Sequence, residues 1–156
     1  MVGDFDCEIS LWPRPGAEPV LAKATAVGSW ILGKRFVQVA NTPAPGEELA
    51  IESLQVFGFD KRSSRFFCWA IDSTDTYSLL SRGTRDKDSG ALTLLGTNEV
   101  PGKPVESFKQ VIRPIDKDSY ASEVWVQAMG MPGADVDGWF KAVQLKYTRR
   151  ESAPSK

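Results

Sequence analysis

Glu123, Lys141 and Arg149 are the polar residues best placed for chemistry in this 156-residue chain. Glu123 and Trp125 share one face of a strand-like segment, while Lys141, Tyr147 and Arg149 lie in the last one. Neighbouring antiparallel strands would bring Glu123 beside Lys141. Burial shifts the pKa of both members of such a pair, which would suit an acid and a base. The same pair could anchor the polar end of a ligand, with Lys141 or Arg149 taking a carboxylate. The plainest reading is a structural ion pair or two solvated side chains. Asp72 is a further candidate acid or base.

Other catalytic signatures are missing. The chain has no histidine, which excludes His-dependent triads, haem held by a protein imidazole and His-containing zinc sites. Gly-x-Ser-x-Gly, a phosphate-cradling loop and Cys-x-x-Cys do not occur. A nucleophilic serine would need lysine as its base, and no spacing singles out such a pair. Cys7 and Cys68 are the only thiols. They read as two free buried thiols in a reducing compartment, in preference to a disulfide. Asp86-Lys87-Asp88-Ser89-Gly90 begins like a calcium loop. Ala91 stands where that loop needs its sixth-position Gly, and Thr97 where it needs its twelfth-position Glu. It reads as a hairpin turn, as does Asp116-Lys117-Asp118. No metal or cofactor is expected.

The elements that must position these residues are short. Turn-forming clusters of Gly, Pro, Asn, Asp and Ser recur along the chain. They lie at Pro13–Gly16, Gly33–Lys34, Thr42–Gly46, Asp60–Ser64, Asp72–Asp75, Asp86–Gly90, Pro101–Pro104, Asp116–Ser119 and Met131–Gly138. These nine interruptions leave ten segments rich in strand-forming residues. Most run about 8 to 13 residues, and none keeps an apolar 3.6 period with a convincing cap. The spacing predicts an all-β domain over 1–150, a closed antiparallel barrel of about ten strands, with a frayed polar tail at 151–156.

Alternation is clearest at the two ends. Phe5, Cys7, Ile9 and Leu11 share one face of the first strand, against Asp4, Asp6, Glu8 and Ser10. A period of two puts the first set inward. In the last segment Trp139, Lys141, Val143, Leu145, Tyr147 and Arg149 share a face, which reads as inward. That would carry Lys141 and Arg149 inside, where an unpaired cation costs several kcal/mol. A hollow barrel with polar ligand contacts would tolerate them; a solid core would not. Trp30, Trp69, Trp125 and Trp139, with Phe66, Phe67 and Phe108, are expected to furnish an aromatic interior, as core fillers or as a pocket wall. Segment 64–73 is apolar on both faces, so the cavity side of Phe67 and Trp69 is left open. Lys109 and Arg113 are expected outside, with Phe108, Gln110 and Ile112 inside.

Gly3-Asp4-Phe5 resembles the Gly-x-Trp that opens the first strand of lipocalin-like (calycin) barrels, with Phe in place of Trp. Tyr147-Thr148-Arg149 resembles their closing strand. In such barrels an Arg from the last strand packs over the first-strand aromatic and seals one end. The resemblance therefore implies Arg149 over Phe5 and a barrel like those of lipocalins and fatty-acid-binding proteins. The chain is also similar, over nearly its full length, to a bacterial family of domains of unknown function with this barrel. Trp12 to Gly16, Leu32 to Phe36, Phe57 to Asp60, Ile71 to Ser73, Gly83 to Asp86, Glu123, and Lys141 through Tyr147 to Arg149 carry the similarity.

Net charge is −1, which suggests no long-range pull toward nucleic acid or anionic lipid. No run approaches the roughly 20 apolar residues of a membrane helix. No signal peptide is expected, and the cytoplasm is the expected location. The leading expectation is non-catalytic binding of a small apolar or amphipathic molecule through Phe67, Trp69, Glu123, Trp125, Lys141, Tyr147 and Arg149. One alternative is a barrel isomerase or cyclase using Glu123, Asp72 or Lys141. Another is a structural or partner-binding module, for which outward Trp12 offers a surface where a homodimer could form.

Overall fold

The computed structural model describes residues 1–74, 76–99, 101–102, 104–128 and 132–151. Ten strands follow one another: β1 (Gly3–Leu11), β2 (Val20–Ile31), β3 (Phe36–Pro43), β4 (Ser53–Asp60), β5 (Arg65–Asp72), β6 (Leu79–Arg85), β7 (Leu92–Asn98), β8 (Glu106–Pro114), β9 (Ser119–Gln127) and β10 (Trp139–Arg149). Each pairs antiparallel with the next, and β10 returns to β1 to close the barrel. The expected closed ten-strand barrel is therefore what forms. No helix of the described residues is long and apolar enough to cross a membrane. Most of the tail, residues 152–156, lies outside the described residues.

Register fixes which side chains look inward, because directly opposed residues share a face. Phe5 opposes Ala26 and Arg149, and Cys7 opposes Ala24 and Tyr147. The inner face of β2 is Ala22, Ala24, Ala26 and Gly28, all buried. These small residues make room for the rings opposite. Phe5 packs edge-on against Tyr120 at 5.3 Å, and Tyr120 stacks on Tyr147 at 4.4 Å. Val39, Cys68 and Leu94 complete a dry layer with no more than 1% exposure. Burying each such large side chain contributes roughly 1.5–3 kcal/mol. Polar residues cross the same interior: Gln110 Nε2 donates to Gln55 Oε1 (3.4 Å) and to Ser122 Oγ (3.2 Å). The middle of the barrel is therefore filled.

One irregularity reverses an expectation. Lys141 opposes Trp125, yet Val143 opposes Val124, so a β-bulge at Ala142 interrupts the β9–β10 register. A bulge inserts one residue and turns every side chain beyond it to the other face. Val143, Leu145, Tyr147 and Arg149 look inward as expected. Trp139 and Lys141 look outward, and Phe140 takes the inner side opposite Val126. The Ala142 carbonyl accepts the Trp12 N–H at 2.8 Å, which continues the β1–β10 pairing past the bulge. The burial cost that Lys141 posed is thus removed by moving the cation out.

Cys7 and Cys68 are both buried and free. Burial pushes each thiol from 9.0 up to about 12. Burial also raises the Tyr120 and Tyr147 phenols. The native state then holds protons that the unfolded chain releases as pH climbs from about 9 toward 12, so stability is full below that window and lost across it. Urea unfolding should show a midpoint that is constant from neutral pH to about pH 9 and falls above it. A midpoint flat across the whole alkaline range would contradict this burial.

Candidate functional site

The barrel interior opens at the end that carries the chain termini and the turns β2–β3, β4–β5, β6–β7 and β8–β9. A cavity of about 670 Å³ sits in this mouth. Its apolar wall comes from the inner faces of six strands: Phe5, Val37, Phe57, Phe66, Leu92 and Ile112. All six follow from the inward parity of their strands. The rim is cationic, with Lys34, Arg35, Arg85, Lys117 and Arg149 against Asp116 and Asp118.

Arg149 is the best-anchored rim cation. Its guanidinium lies 5.0 Å from the Phe5 ring centre. It donates to the Val2 carbonyl (3.0 Å) and pairs with Asp118 (3.6 Å). Gly3 is needed here: it sits at φ +126°, and a Cβ there would collide with the Arg149 guanidinium. The expected packing of Arg149 over Phe5 is present and gives the Gly3-Asp4-Phe5 spacing its physical reason, but it lines the open mouth and does not seal that end. Arg85 donates Nε to the Gly90 carbonyl at 3.2 Å. Lys34 and Arg35 make no ion pair among the described residues. Tyr120 also lines the cavity, and its buried hydroxyl has no hydrogen-bond partner among the described residues.

The other sequence-derived site residues lie elsewhere. Tyr147 is inward but only 2% exposed, locked in the core beneath the cavity. Phe67 opposes Arg82 and Gly58, and Trp69 opposes Leu80 and Val56, all on the outer surface. The open choice in β5 resolves with Phe66, Cys68 and Ala70 inside. Glu123 opposes Val111 and Gln144, also outward.

Glu123 and Lys141 do meet, at 3.4 Å, but outside the barrel. Glu123 is 6% exposed and is shared between Arg113 (3.0 Å), Lys141, Gln144 Nε2 (3.2 Å) and Trp125 Nε1 (3.4 Å). Lys141 reaches over the Trp12 ring at 5.1 Å and toward Trp125 at 5.8 Å. Lys109 lies over Trp125 and Trp139, at 5.2 and 4.8 Å. Expecting Trp69, Trp125 and Trp139 to furnish the interior is therefore wrong. Lysine stems and cation–π contacts keep Trp125 and Trp139 half-buried on the outside. Neither Glu123 nor Lys141 faces the barrel interior, where the isomerase or cyclase reading would put its substrate. Asp72 is inward, but at the opposite end of the barrel, where it accepts the Thr74 N–H at 2.9 Å.

Residues 1–149 match the family described as protein of unknown function (DUF1579). The chain belongs to the DUF1579 family. No curated protein matches it. In this DUF1579 domain the motif around Asp86 is a hairpin turn, as expected. Its carboxylate accepts from the Ser89 N–H (2.7 Å) and hydroxyl (2.6 Å). No group of metal-ligating side chains forms among the described residues. Sequence reasoning missed Arg35 and Arg85 as rim cations. The signal was present, since each lies at a strand end beside a turn, where the mouth of a barrel must be.

The outer Glu123 cluster is structural on this geometry. Glu123→Ala strands Arg113, Lys141 and Gln144, although the half-exposed cations can rehydrate, so a loss of about 1–2 kcal/mol is expected. Chemical unfolding measures it. Binding at the mouth should be untouched, and a variant of full stability with abolished mouth binding would contradict a structural role.

Proposed function

We propose that this domain binds a small amphipathic molecule, its apolar body in the mouth cavity and an anionic head at the rim. One observation carries the reading: an aromatic and aliphatic cavity of about 670 Å³ under a ring of five cations and two acids. That volume falls within the roughly 300–1,000 Å³ of typical ligand sites. Arg35 and Arg85 can take a carboxylate without breaking an existing ion pair, and arginine matches that group with two parallel donors. Arg149 orders the wall and is spoken for by Asp118, so its role is to shape the site. The packing of Arg149 over Phe5 supports kinship with lipocalin-like barrels, whose size holds one ligand.

Laurate and dodecanol are suitable probes because they share a chain and differ in the head. Laurate should bind at least about tenfold more tightly, one charge-assisted contact being worth about 1.5–3 kcal/mol. Arg85→Ala should remove most of that difference and leave dodecanol affinity alone. Leu92→Trp should fill the cavity and abolish binding of both. Isothermal titration reads all three. Failure of either probe to bind, or equal affinity for laurate in wild type and Arg85→Ala, would contradict the proposal.

A further inference from the structure

The near-zero net charge hides a separation along the barrel axis. In a closed up-and-down barrel alternate turns lie at opposite ends. At the end away from the cavity, the described turn residues include Glu18, Glu47, Glu48 and Glu52, then Glu99, Asp135 and Asp137. Arg14 is the one cation among them. The cavity end presents Lys34, Arg35, Lys61, Arg62, Lys87 and Lys117 in its four turns, with Arg85, Arg149 and Arg150 at strand ends. The same end also carries Asp60, Asp86, Asp88, Asp116 and Asp118. Arg62 is paired with Asp60, Lys117 and Arg149 with Asp118, and Arg150 with Asp6, so cations outnumber acids there while four of the cations are already partnered. Among the described residues one end is positive and the other negative, contrary to what the net charge of −1 suggests.

The positive end is also apolar at its tips. Trp30 is 51% exposed, Leu32 72%, Phe59 46% and Ile115 57%. Trp30 and Phe59 edge the cavity, and Leu32 and Ile115 project from the β2–β3 and β8–β9 turns. Leu32 is held at φ +48° and Lys34 at φ +62°. The left-handed region is costly for such residues, and glycine would relieve it. Retention of a strained, exposed leucine at a binding mouth fits a role that stability does not reward.

We infer that the cavity end docks on an anionic lipid bilayer, with the turn cations over the headgroups and Leu32, Ile115, Trp30 and Phe59 dipping among them. Basic residues are drawn to an anionic surface, and inserted apolar tips add buried area. The acidic end faces away, so repulsion fixes the orientation. An amphipathic ligand would then pass between bilayer and cavity without crossing bulk water. The docking itself stands on charge and exposure, independently of whether the cavity is occupied.

Co-sedimentation with phosphatidylcholine vesicles, pure or with about 30% phosphatidylglycerol, tests this. The full chain should bind the anionic vesicles, with pure phosphatidylcholine binding at least about tenfold weaker, and should release at about 0.5 M salt. Lys61→Glu with Lys87→Glu should cut binding at least about tenfold. Leu32→Gly with Ile115→Ser should cut it as well while the melting temperature does not fall. None of these four residues lines the cavity, so laurate affinity, measured on the same preparations, should stay unchanged. Loss of laurate binding in wild type with vesicle binding intact would sink the ligand reading alone. Equal binding to neutral and anionic vesicles would overturn the docking. So would binding indifferent to the glutamate substitutions, or binding to a DNA oligonucleotide that matches the anionic vesicles and ignores Leu32→Gly. Salt-sensitive self-association in sedimentation velocity would assign the positive end to the negative end of a second copy instead.

Discussion

Closure of β10 onto β1 is the constraint on which the rest of the molecule depends. Seven residue pairs, from Phe5 with Arg149 to Leu11 with Val143, join the two ends of the chain and abolish both sheet edges. That pairing sets the inward parity of Phe5, Cys7, Tyr147 and Arg149 together. It therefore builds the stacked core and the cationic rim in one step. Its cost is that these contacts join residues at nearly maximal sequence separation, which slows folding.

The bulge at Ala142 divides the last strand into two chemistries. Beyond it, toward the C-terminus, the inner face continues into the cavity wall. Before it, Lys141 and Trp139 join an outer belt of indoles and cations centred on Glu123. A straight β10 would instead press a lysine into a filled interior, where the charge would have no acceptor. The outer belt thus reads as the means by which the barrel solves a pairing problem.

Much of this was legible in the residues. The turn chemistry marked all nine connections between strands, though not their bounds, since β4 begins only at Ser53, and the first strand's alternation gave its faces directly. The Gly3-Asp4-Phe5 and Arg149 spacing implied their packing, which the structure contains, at an end that stays open. The faces of β5 were not legible, because both are apolar and a period of two has nothing to contrast; in β9 Trp125 shares its face with Glu123 and Gln127, and the indole pointed the reading inward where the polar residues pointed out. Lys141 was misplaced because a bulge has no composition of its own at Ala142; only register reveals it. Arg35 and Arg85 were overlooked because strand-end residues acquire their meaning from which turns share an end, a property of closure. The axial charge separation was hidden for the same reason, since it sums to almost nothing along the chain.

The central claim is that the ligand occupies the mouth cavity and not the outer aromatic belt. Methyl NMR during a laurate titration tests it most directly. Saturable shifts should appear at Val37, Leu92 and Ile112, with Val111 and Val20 unmoved. Shifts confined to Val111 and its neighbours around Trp125, or none at any methyl, would contradict the account.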